Sequence, residues 1–223
     1  DGTLSSTKAI AVTVTAVNDN TPVITSSATA NVAENTTAVM TVTATDADLP
    51  AQTLTYSIVG GADAAKFAIN SSTGALSFAT APDYEAPTDV GSNNVYDVTV
   101  QASDGTLSST KAIAVTVTAV NDNTPVITSG ATANVAENTT AVMTVTATDA
   151  DLPAQTLTYS IVGGADAAKF SINASTGALS FVSAPDFESP TDAGGDNVYD
   201  VTVQVSDGQG STDSQAIAVT VTS

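Results

Sequence analysis

The sequence repeats itself at a spacing of 103 residues, and this feature constrains the fold more than any other. Residues 1–8 recur as 104–111, residues 18–22 recur as 121–125, and residues 32–35 recur as 135–138. The constant offset predicts two full units, 18–120 and 121–223, with no insertion or deletion. Residues 1–17 match residues 104–120, so we expect them to form the last strand of a truncated upstream repeat in a tandem array.

The chain is strongly acidic, because 23 Asp and Glu stand against 4 Lys and Arg, which gives a net charge of −19. Such a surface repels phosphates and anionic headgroups, so binding to nucleic acid or direct contact with a membrane is not expected. The absence of Cys and His removes disulfides, thiolate chemistry, zinc sites of the Cys/His type and the Ser-His-Asp triad. Oxygen atoms are the remaining metal ligands, and they select hard cations such as calcium or magnesium.

Within each unit the apolar residues recur with a period of two, which is typical of half-buried β-strands. Ile113, Val115 and Val117 alternate with Ala and Thr, and residues 96–102 alternate in the same way. About seven short strands in roughly 100 residues, separated by Gly, Pro and Asp, predict an all-β fold in which each unit is a β-sandwich. Further strands of the first unit are expected at 23–25, 30–32, 39–44, 54–58, 67–69 and 75–78, with one helical turn at 62–66.

Acidic residues gather into short motifs, and their pattern does not favour an enzyme. Paired carboxylates lie in turns at strand ends, and without His or Cys no nucleophile–base pair can form. A turn role, in which Asp accepts backbone N–H groups, explains any single motif. It does not explain Glu34 and Glu137, which lie inside strand-like runs. Alternating carboxylates project to one side of an extended segment, which suits a shared cation.

Taken in order, these motifs resemble the cadherin repeat. The resemblance rests on Glu-Asn at 34–35, Asp-Ala-Asp at 46–48, Asp-Tyr-Glu at 83–85, Ser-Asp-Gly at 103–105 and Asn-Asp-Asn-Thr-Pro at 121–125. It covers both full units and implies tandem seven-stranded Greek-key sandwiches of the immunoglobulin-like, cadherin type. Because the repeats are nearly identical, acidic and free of Cys, they look like the extender region of a large bacterial surface adhesin of the RTX-adhesin type.

The resemblance also implies that Ca2+ binds between consecutive repeats, with three ions and ligands from both sides. Two positions depart from the family pattern. Ala16 and Ala119 replace an acidic residue that often opens the linker motif, and the Leu-Pro-Ala-Gln loop after Asp48 lacks the usual Gly/Asn pattern, so its carbonyl ligand is unassigned. The implied ligands are Glu34, Asp83, Glu85, Asn121, Asp122, Asn123, Asp149, Asp151 and Asp207 at the middle junction; Asn18, Asp19, Asn20, Asp46, Asp48 and Asp104 upstream; and Glu137, Asp186 and Glu188 downstream.

The seven carboxylates of the middle junction carry a formal charge of −7, which three calcium ions would nearly cancel. The resemblance, which this charge supports, therefore implies a calcium-rigidified extender of a bacterial cell-surface adhesin. It is expected to be extracellular and to contact neighbouring repeats of the same chain. Two alternatives stay open: a direct binding module with weak homophilic or carbohydrate contacts, and an accessory repeat of a secreted hydrolase.

Overall fold

The computed structural model describes residues 2–223, which form two compact units, one up to Thr118 and one from Ala119 to Ser223. Within these residues no helix is long and apolar enough to span a bilayer. The first unit contains β1 (Val23–Ile24), β2 (Thr29–Ala33), β3 (Ala38–Thr41), β4 (Ala44–Thr45), β5 (Thr55–Gly60), a 3-10 turn (Ala64–Lys66), β6 (Phe67–Ile69), β7 (Ala75–Phe78), β8 (Val95–Ser103) and β9 (Ser108–Thr118). The second contains β10 (Val126–Ile127), β11 (Thr132–Ala136), β12 (Ala141–Thr144), β13 (Ala147–Thr148), β14 (Thr158–Gly163), a 3-10 turn (Ala167–Lys169), β15 (Phe170–Ile172), β16 (Ala178–Phe181), β17 (Val198–Ser206) and β18 (Thr212–Thr222).

Each unit is a sandwich of two sheets, so the predicted all-β fold is confirmed. In the first unit one sheet has the order β2-β9-β8-β5 and the other has the order β3-β7-β6, with β1 paired to β4. The second unit repeats this as β11-β18-β17-β14, β12-β16-β15 and β10-β13. β2 is parallel to β9, whereas β1 is antiparallel to β4, so the first strand changes sheet between its two halves. When β1 with β2 and β3 with β4 are each counted as one interrupted strand, the sandwich has seven strands.

The core of each sandwich combines β-branched residues with three aromatic rings. In the first unit Val98 and Val100 are at most 1% exposed, because the alternation along β8 turns them to the inner face. Phe67 stacks on Phe78 with ring centroids 4.6 Å apart, and Tyr96 packs edge-on against Phe78 at 5.1 Å. The equivalent rings of the second unit repeat both distances.

The second repeat contains one residue more than the first, so the expectation of a constant offset with no insertion is wrong. Val98 pairs with Ile113 in the first unit, whereas Val201 pairs with Ile217 in the second. The offset thus grows from 103 to 104 across the loop between β17 and β18, which has one residue more than its counterpart between β8 and β9. A loop accepts the additional residue because the strand register on both sides of it is set by the buried face.

The strand expected at 39–44 is interrupted between β3 and β4. The N–H of Val42 donates to the carbonyl oxygen of Gly74 at 2.8 Å, outside the regular ladder. Gly74 has a φ of +71°, and a Cβ atom there would lie 2.1 Å from the carbonyl oxygen of Val42. The close approach of the two backbones therefore requires glycine at position 74.

Residues 4–22 contain no helix or strand in this structure. The side chains of Ile10, Val12 and Val14 are 79%, 82% and 90% exposed, although the same sequence forms the buried half of β9. The expectation that residues 1–17 form the last strand of a preceding repeat stays a prediction, and its first residue, Asp1, lies outside the described part of the chain.

Candidate metal centres

Each repeat gathers acidic and amide side chains from three loops at one end of its sandwich. In the first repeat these are the segment before β1, the loop after β4 and the loop after β8. Because β1 and β4 are antiparallel, with Val23 opposite Thr45, the residues before β1 lie beside those after β4. Carboxylate oxygens of Asp46, Asp48 and Asp104 lie within 4.8 Å of one another. The Asp-rich cluster comprises Asn18, Asp19, Asn20, Asp46, Asp48 and Asp104 in the first repeat, and Asn121, Asp122, Asn123, Asp149, Asp151 and Asp207 in the second.

In the first repeat the carboxylate of Asp48 organises the segment before β1. Asp48 is 6% exposed, and its Oδ2 accepts the N–H groups of Asp19 at 3.2 Å and of Asn20 at 3.0 Å. In the orientation that its neighbours require, the amide nitrogen of Asn18 donates to Asp48 and to Asp104, each at 3.1 Å. These bonds tie the three loops together.

The second repeat builds the same arrangement. Asp151 is 2% exposed, and its Oδ1 accepts the backbone N–H of Asn123 at 3.1 Å and its side-chain amide at 2.8 Å. Asn121 Nδ2 donates to Asp207 Oδ2 at 3.0 Å, while Asp207 Oδ1 accepts the N–H of Gln209 at 2.8 Å. Both aspartates therefore use at least one carboxylate oxygen to order the backbone around them.

These contacts hold the carboxylates in their charged form. The side-chain amide of Asn121 lowers the pKa of Asp207, and this effect is larger than the opposing effect of burial. Burial raises the pKa of Asp151, but hydrogen bonds from Asn123 and its neighbours outweigh it, so the pKa lies below the ordinary value. The pKa values of Asp48 and Asp104 are lowered as well. Carboxylates that are already ionised can bind a cation without first losing a proton.

Three buried oxygen atoms of the Asp-rich clusters have no hydrogen-bond partner within residues 2–223. They are Asp46 Oδ2 in the first repeat, and Asn121 Oδ1 and Asp149 Oδ2 in the second. The other oxygen of each carboxylate is in use: Asp46 Oδ1 accepts the N–H of Asp48 at 3.0 Å, and Asp149 Oδ1 accepts that of Asp151 at 3.1 Å. A buried oxygen without a partner costs free energy. A hard cation that binds oxygen would satisfy it, so the donor set fits calcium.

A second acidic group, the Glu-containing cluster, consists of Glu34, Asp83 and Glu85 in the first repeat. Glu34 lies in the turn that follows β2, so the expectation that it lies inside a strand is wrong. Its N–H donates to the carbonyl oxygen of Thr118, the last residue of β9. Glu34 Oε2 accepts the N–H of Tyr84 at 2.6 Å, and carboxylate oxygens of Glu34 and Glu85 lie within 4.8 Å of each other. Asp83 Oδ1 accepts the N–H of Glu85 at 2.9 Å, which fixes the loop that carries both residues.

In the second repeat the Glu-containing cluster consists of Glu137, Asp186 and Glu188, whose carboxylate oxygens lie within 4.8 Å of one another. Glu137 Oε2 accepts the N–H of Phe187 at 3.2 Å, as its counterpart does in the first repeat. The two clusters of one repeat lie at opposite ends of the sandwich, because one adjoins the start of the last strand and the other adjoins its end. That strand has 11 residues, which corresponds to about 35 Å.

The structure thus brings the predicted ligands into these four clusters, and their role as metal ligands stays a prediction. Sequence reasoning missed the side chains of Gln52 and Gln155, although it noted the unusual loop that carries them. It also missed a class of buried aspartates with a different role. Asp63 is 4% exposed, and its two oxygens accept the N–H groups of Val90 at 2.8 Å and of Asp97 at 2.9 Å. For Asp63 the turn role, in which an aspartate accepts backbone N–H groups, therefore applies.

Fold and site together define a class: tandem β-sandwich repeats that carry acidic clusters at both ends of each sandwich. A sequence model of the cadherin domain matches residues 28–118 and 131–222, so this chain belongs to the cadherin family. It is 36% identical over 217 residues to human protocadherin Fat 1, and 33% identical over 197 residues to mouse protocadherin Fat 4. These alignments cover 92% and 83% of this chain but only 4% of the length of each relative.

Solved structures agree with this assignment. The cis-dimer structure of protocadherin gammaB7 EC3-6 matches with a TM-score of 0.71 at 27% identity, over 97% of this chain and 55% of that one. Mouse cadherin-23 EC22-24 matches with a TM-score of 0.65 at 26% identity, over 93% of this chain and 66% of that one. The cadherin resemblance seen in the sequence is therefore confirmed. Cadherin domains are typically extracellular repeats of non-enzymatic, calcium-dependent adhesion proteins.

Proposed function

We propose that this chain is an extender segment of a cell-surface adhesin, in which Ca2+ bound between repeats stiffens a row of β-sandwiches. The observation that carries the proposal is the pair of clusters at opposite ends of each repeat. In a tandem chain the Glu-containing cluster of one repeat and the Asp-rich cluster of the next are neighbours along the sequence. The short segment that joins the two repeats contains Asn121, Asp122 and Asn123. Consecutive repeats therefore supply two halves of one cation site.

Electrostatics supports a cation at this position. Seven carboxylates assigned to the middle junction repel one another when no cation is present, and divalent ions reverse the sign of that interaction. The unpartnered oxygens of Asn121 and Asp149 support the same conclusion, because they lack the partner that buried oxygens need. Extracellular modules bind calcium at about 10⁻⁴–10⁻³ M, so the segment would become stiff only outside the cell.

A bacterial surface protein is the host that we propose for this segment. The two repeats differ at few positions and contain no Cys, which suits a spacer that needs repetition rather than a distinctive surface. The curated relatives described above are animal proteins, and they share the cadherin domain with this chain. A full-length protein with many such repeats would hold an adhesive tip away from the cell, at a distance that grows with the number of repeats.

Small-angle X-ray scattering of the 223-residue chain tests the stiffening. We expect a larger radius of gyration and a narrower distribution of distances in 5 mM CaCl2 than in EDTA, because 5 mM is about 5–50 times a dissociation constant of 10⁻⁴–10⁻³ M. The matched variants are Asp151→Asn and Asp48→Asn, which change equivalent residues of the two Asp-rich clusters. Only Asp151 lies at a junction with a complete repeat on both sides, so D151N should abolish the calcium response and D48N should retain it. Superimposable wild-type profiles in calcium and EDTA would refute the proposal.

A direct binding module is the second candidate, and one observation favours it. Each repeat has an open cavity of about 460–480 Å³ beside its 3-10 turn. In the first repeat its lining includes the polar side chains of Lys66, Asp83 and Thr88, which suit the hydroxyl groups of a sugar, whereas the aromatic residues Phe78 and Tyr96 behind them are at most 3% exposed. A glycan array and a concentration series for self-association separate the candidates, because an extender should bind no glycan and stay monomeric.

A further inference from the structure

The loop that follows each Asp-x-Asp motif carries a glutamine, and in the second repeat its side chain contacts the Asp-rich cluster. In the second repeat Gln155 Nε2 donates to Asp151 Oδ2 at 3.3 Å, whereas Asp151 Oδ1 is occupied by Asn123. Gln155 Oε1 is buried and has no hydrogen-bond partner within residues 2–223, and the same is true of Gln52 Oε1 in the first repeat. Two repeats thus bury the same amide oxygen in the same loop without a partner.

The orphaned oxygen of Gln155 is not isolated. Gln155 and Asn121 line one open cavity of about 200 Å³ together with Leu152 and Gln209. The oxygen atom of the Asn121 side chain is also buried without a partner, while its nitrogen donates to Asp207. Both amides therefore use their nitrogen atoms on carboxylates of the Asp-rich cluster and leave their oxygen atoms unused. Two such oxygens, on amides that donate to the carboxylates of Asp151 and Asp207, complete a donor set for a hard cation.

We infer that Gln155 belongs to the calcium site of the second repeat, with Nε2 orienting the Asp151 carboxylate and Oε1 supplying an oxygen ligand on the side of the Leu-Pro-Ala-Gln loop; in the first repeat Gln52 Oε1 supplies the equivalent ligand. This inference rests on the proposed function, because it assigns ligands to the cation proposed there. It also explains why the loop departs from the family pattern. The side chain of glutamine occupies a place in the ligand set for which no backbone carbonyl could be assigned.

An added neutral ligand has consequences for selectivity. Calcium takes six to eight oxygen ligands in flexible geometry, whereas magnesium requires six in a near-ideal octahedron. A further amide oxygen therefore favours calcium over magnesium without adding to the repulsion among the carboxylates. Residues that orient the ligands of a metal change its affinity by about 10–100-fold when they are removed.

Calorimetric titration of the full chain with CaCl2 tests the inference, using Gln155→Leu and a matched control. The control is Gln215→Leu, which removes a second glutamine of the same repeat whose Oε1 is also buried without a partner, but on strand β18, where it pairs with Val203. We expect Q155L to weaken one calcium-binding step by about 10-fold or more, and to lower the ratio of calcium to magnesium affinity. We expect Q215L to leave both quantities unchanged.

Unfolding in EDTA provides a readout that a purely structural role would change. Q155L removes a buried oxygen without a partner and also the hydrogen bond from Nε2 to Asp151 Oδ2. These two effects have opposite signs, so the unfolding midpoint in EDTA should change little, while the increase in midpoint that calcium produces should be reduced. Gln155→Glu keeps an oxygen at the same place but loses the Nε2 donor to Asp151, so its calcium affinity should lie between those of Q155L and the wild type. Equal calcium affinity of Q155L and the wild type would overturn the inference and leave the proposed function intact, whereas a wild type that binds no calcium would overturn both. If Q155L does not fold, Gln155→Asn, which withdraws the oxygen by one methylene, decides the question in the same titration.

Discussion

The buried carboxylate of Asp63 offers the sharpest test of how the repeats hold their long loop. Residues 79–94 connect β7 to β8 without regular structure, and the carboxylate fastens this loop to the sheet. One oxygen accepts the N–H of Val90 in the loop at 2.8 Å, and the other accepts the N–H of Asp97 in β8 at 2.9 Å. Asp166 makes the equivalent bonds in the second repeat, at 2.7 and 2.9 Å.

We expect Asp63→Asn to destabilise the first repeat by about 2–4 kcal/mol. Asparagine retains one acceptor oxygen but presents its NH2 group to the other backbone N–H, so one hydrogen bond to a charged group is lost and two donors face each other. A hydrogen bond to a charged group contributes about 1.5–3 kcal/mol, and a donor left without an acceptor costs about 1–3 kcal/mol. Some relaxation of the loop toward solvent reduces the sum, which gives the stated range. Since domains of this size are stable by about 5–15 kcal/mol, the loss is large.

Urea unfolding followed by circular dichroism measures this effect. D63N should split the transition into two phases of similar amplitude, because the second repeat retains its own anchor in Asp166. Asp97→Asn is the matched control, since the Asp97 side chain is exposed and the variant keeps the backbone N–H that Asp63 accepts. D97N should change the free energy of unfolding by about 0.5 kcal/mol or less. Equal shifts for D63N and D97N would refute the argument that the carboxylate fastens the loop.

Three further outcomes are expected. Gly74→Ala should destabilise the first repeat by several degrees or more in thermal unfolding, because its Cβ would lie 2.1 Å from a backbone oxygen and its φ is +71°; Gly105→Ala, which meets no atom within 4 Å, separates the contact from the φ penalty. Burial raises the pKa of Asp89, but N–H groups of its own loop outweigh burial and hold the pKa below the ordinary value of 3.8. The stability that this group contributes is therefore present above pH 3.8 and is lost as the pH falls through the lower pKa of the folded state. Asp89→Asn should consequently flatten the decline of the urea midpoint between pH 5 and about pH 2. Asp46→Asn should raise the thermal midpoint in EDTA and lower it in CaCl2, because it relieves repulsion with Asp48 and removes a ligand; a change of the same sign in both buffers would contradict the cation assignment.

The period-two pattern was sufficient to predict an all-β sandwich, and the resemblance to the cadherin repeat supplied its topology. Strands at 67–69 and 75–78 were predicted with the bounds that the structure has, because Phe67, Phe78 and Leu76 are buried and the turn between them is marked by Gly74. The interruption at Val42 could not be predicted, since it depends on a backbone contact with a residue 32 positions away. The insertion between β17 and β18 was missed because the alternating strand beyond it looks the same after a shift of one residue.

The candidate site was predictable to the level of clusters but not of individual atoms. Spacing alone identified Asp46 and Asp48 as neighbours, and the cadherin resemblance grouped residues 18–20 with them. The antiparallel pairing of β1 with β4 is the physical reason why that segment lies beside them. Which oxygen of each carboxylate is used by the backbone depends on loop geometry that no sequence pattern encodes. For the same reason Gln52 and Gln155 were noted only as a departure from the family pattern.

Two classes of aspartate in this protein differ in how many of their carboxylate oxygens accept hydrogen bonds. Both oxygens of Asp63 accept backbone N–H groups at 2.9 Å or less, so this carboxylate is satisfied within its own repeat. Asp46 and Asp149 each have one oxygen bonded to backbone and one oxygen buried without a partner. A buried acceptor without a donor destabilises the fold unless something else supplies positive charge. Stability contributed by the first class should therefore be independent of calcium, whereas the ends of each sandwich should gain stability only when the cation is present.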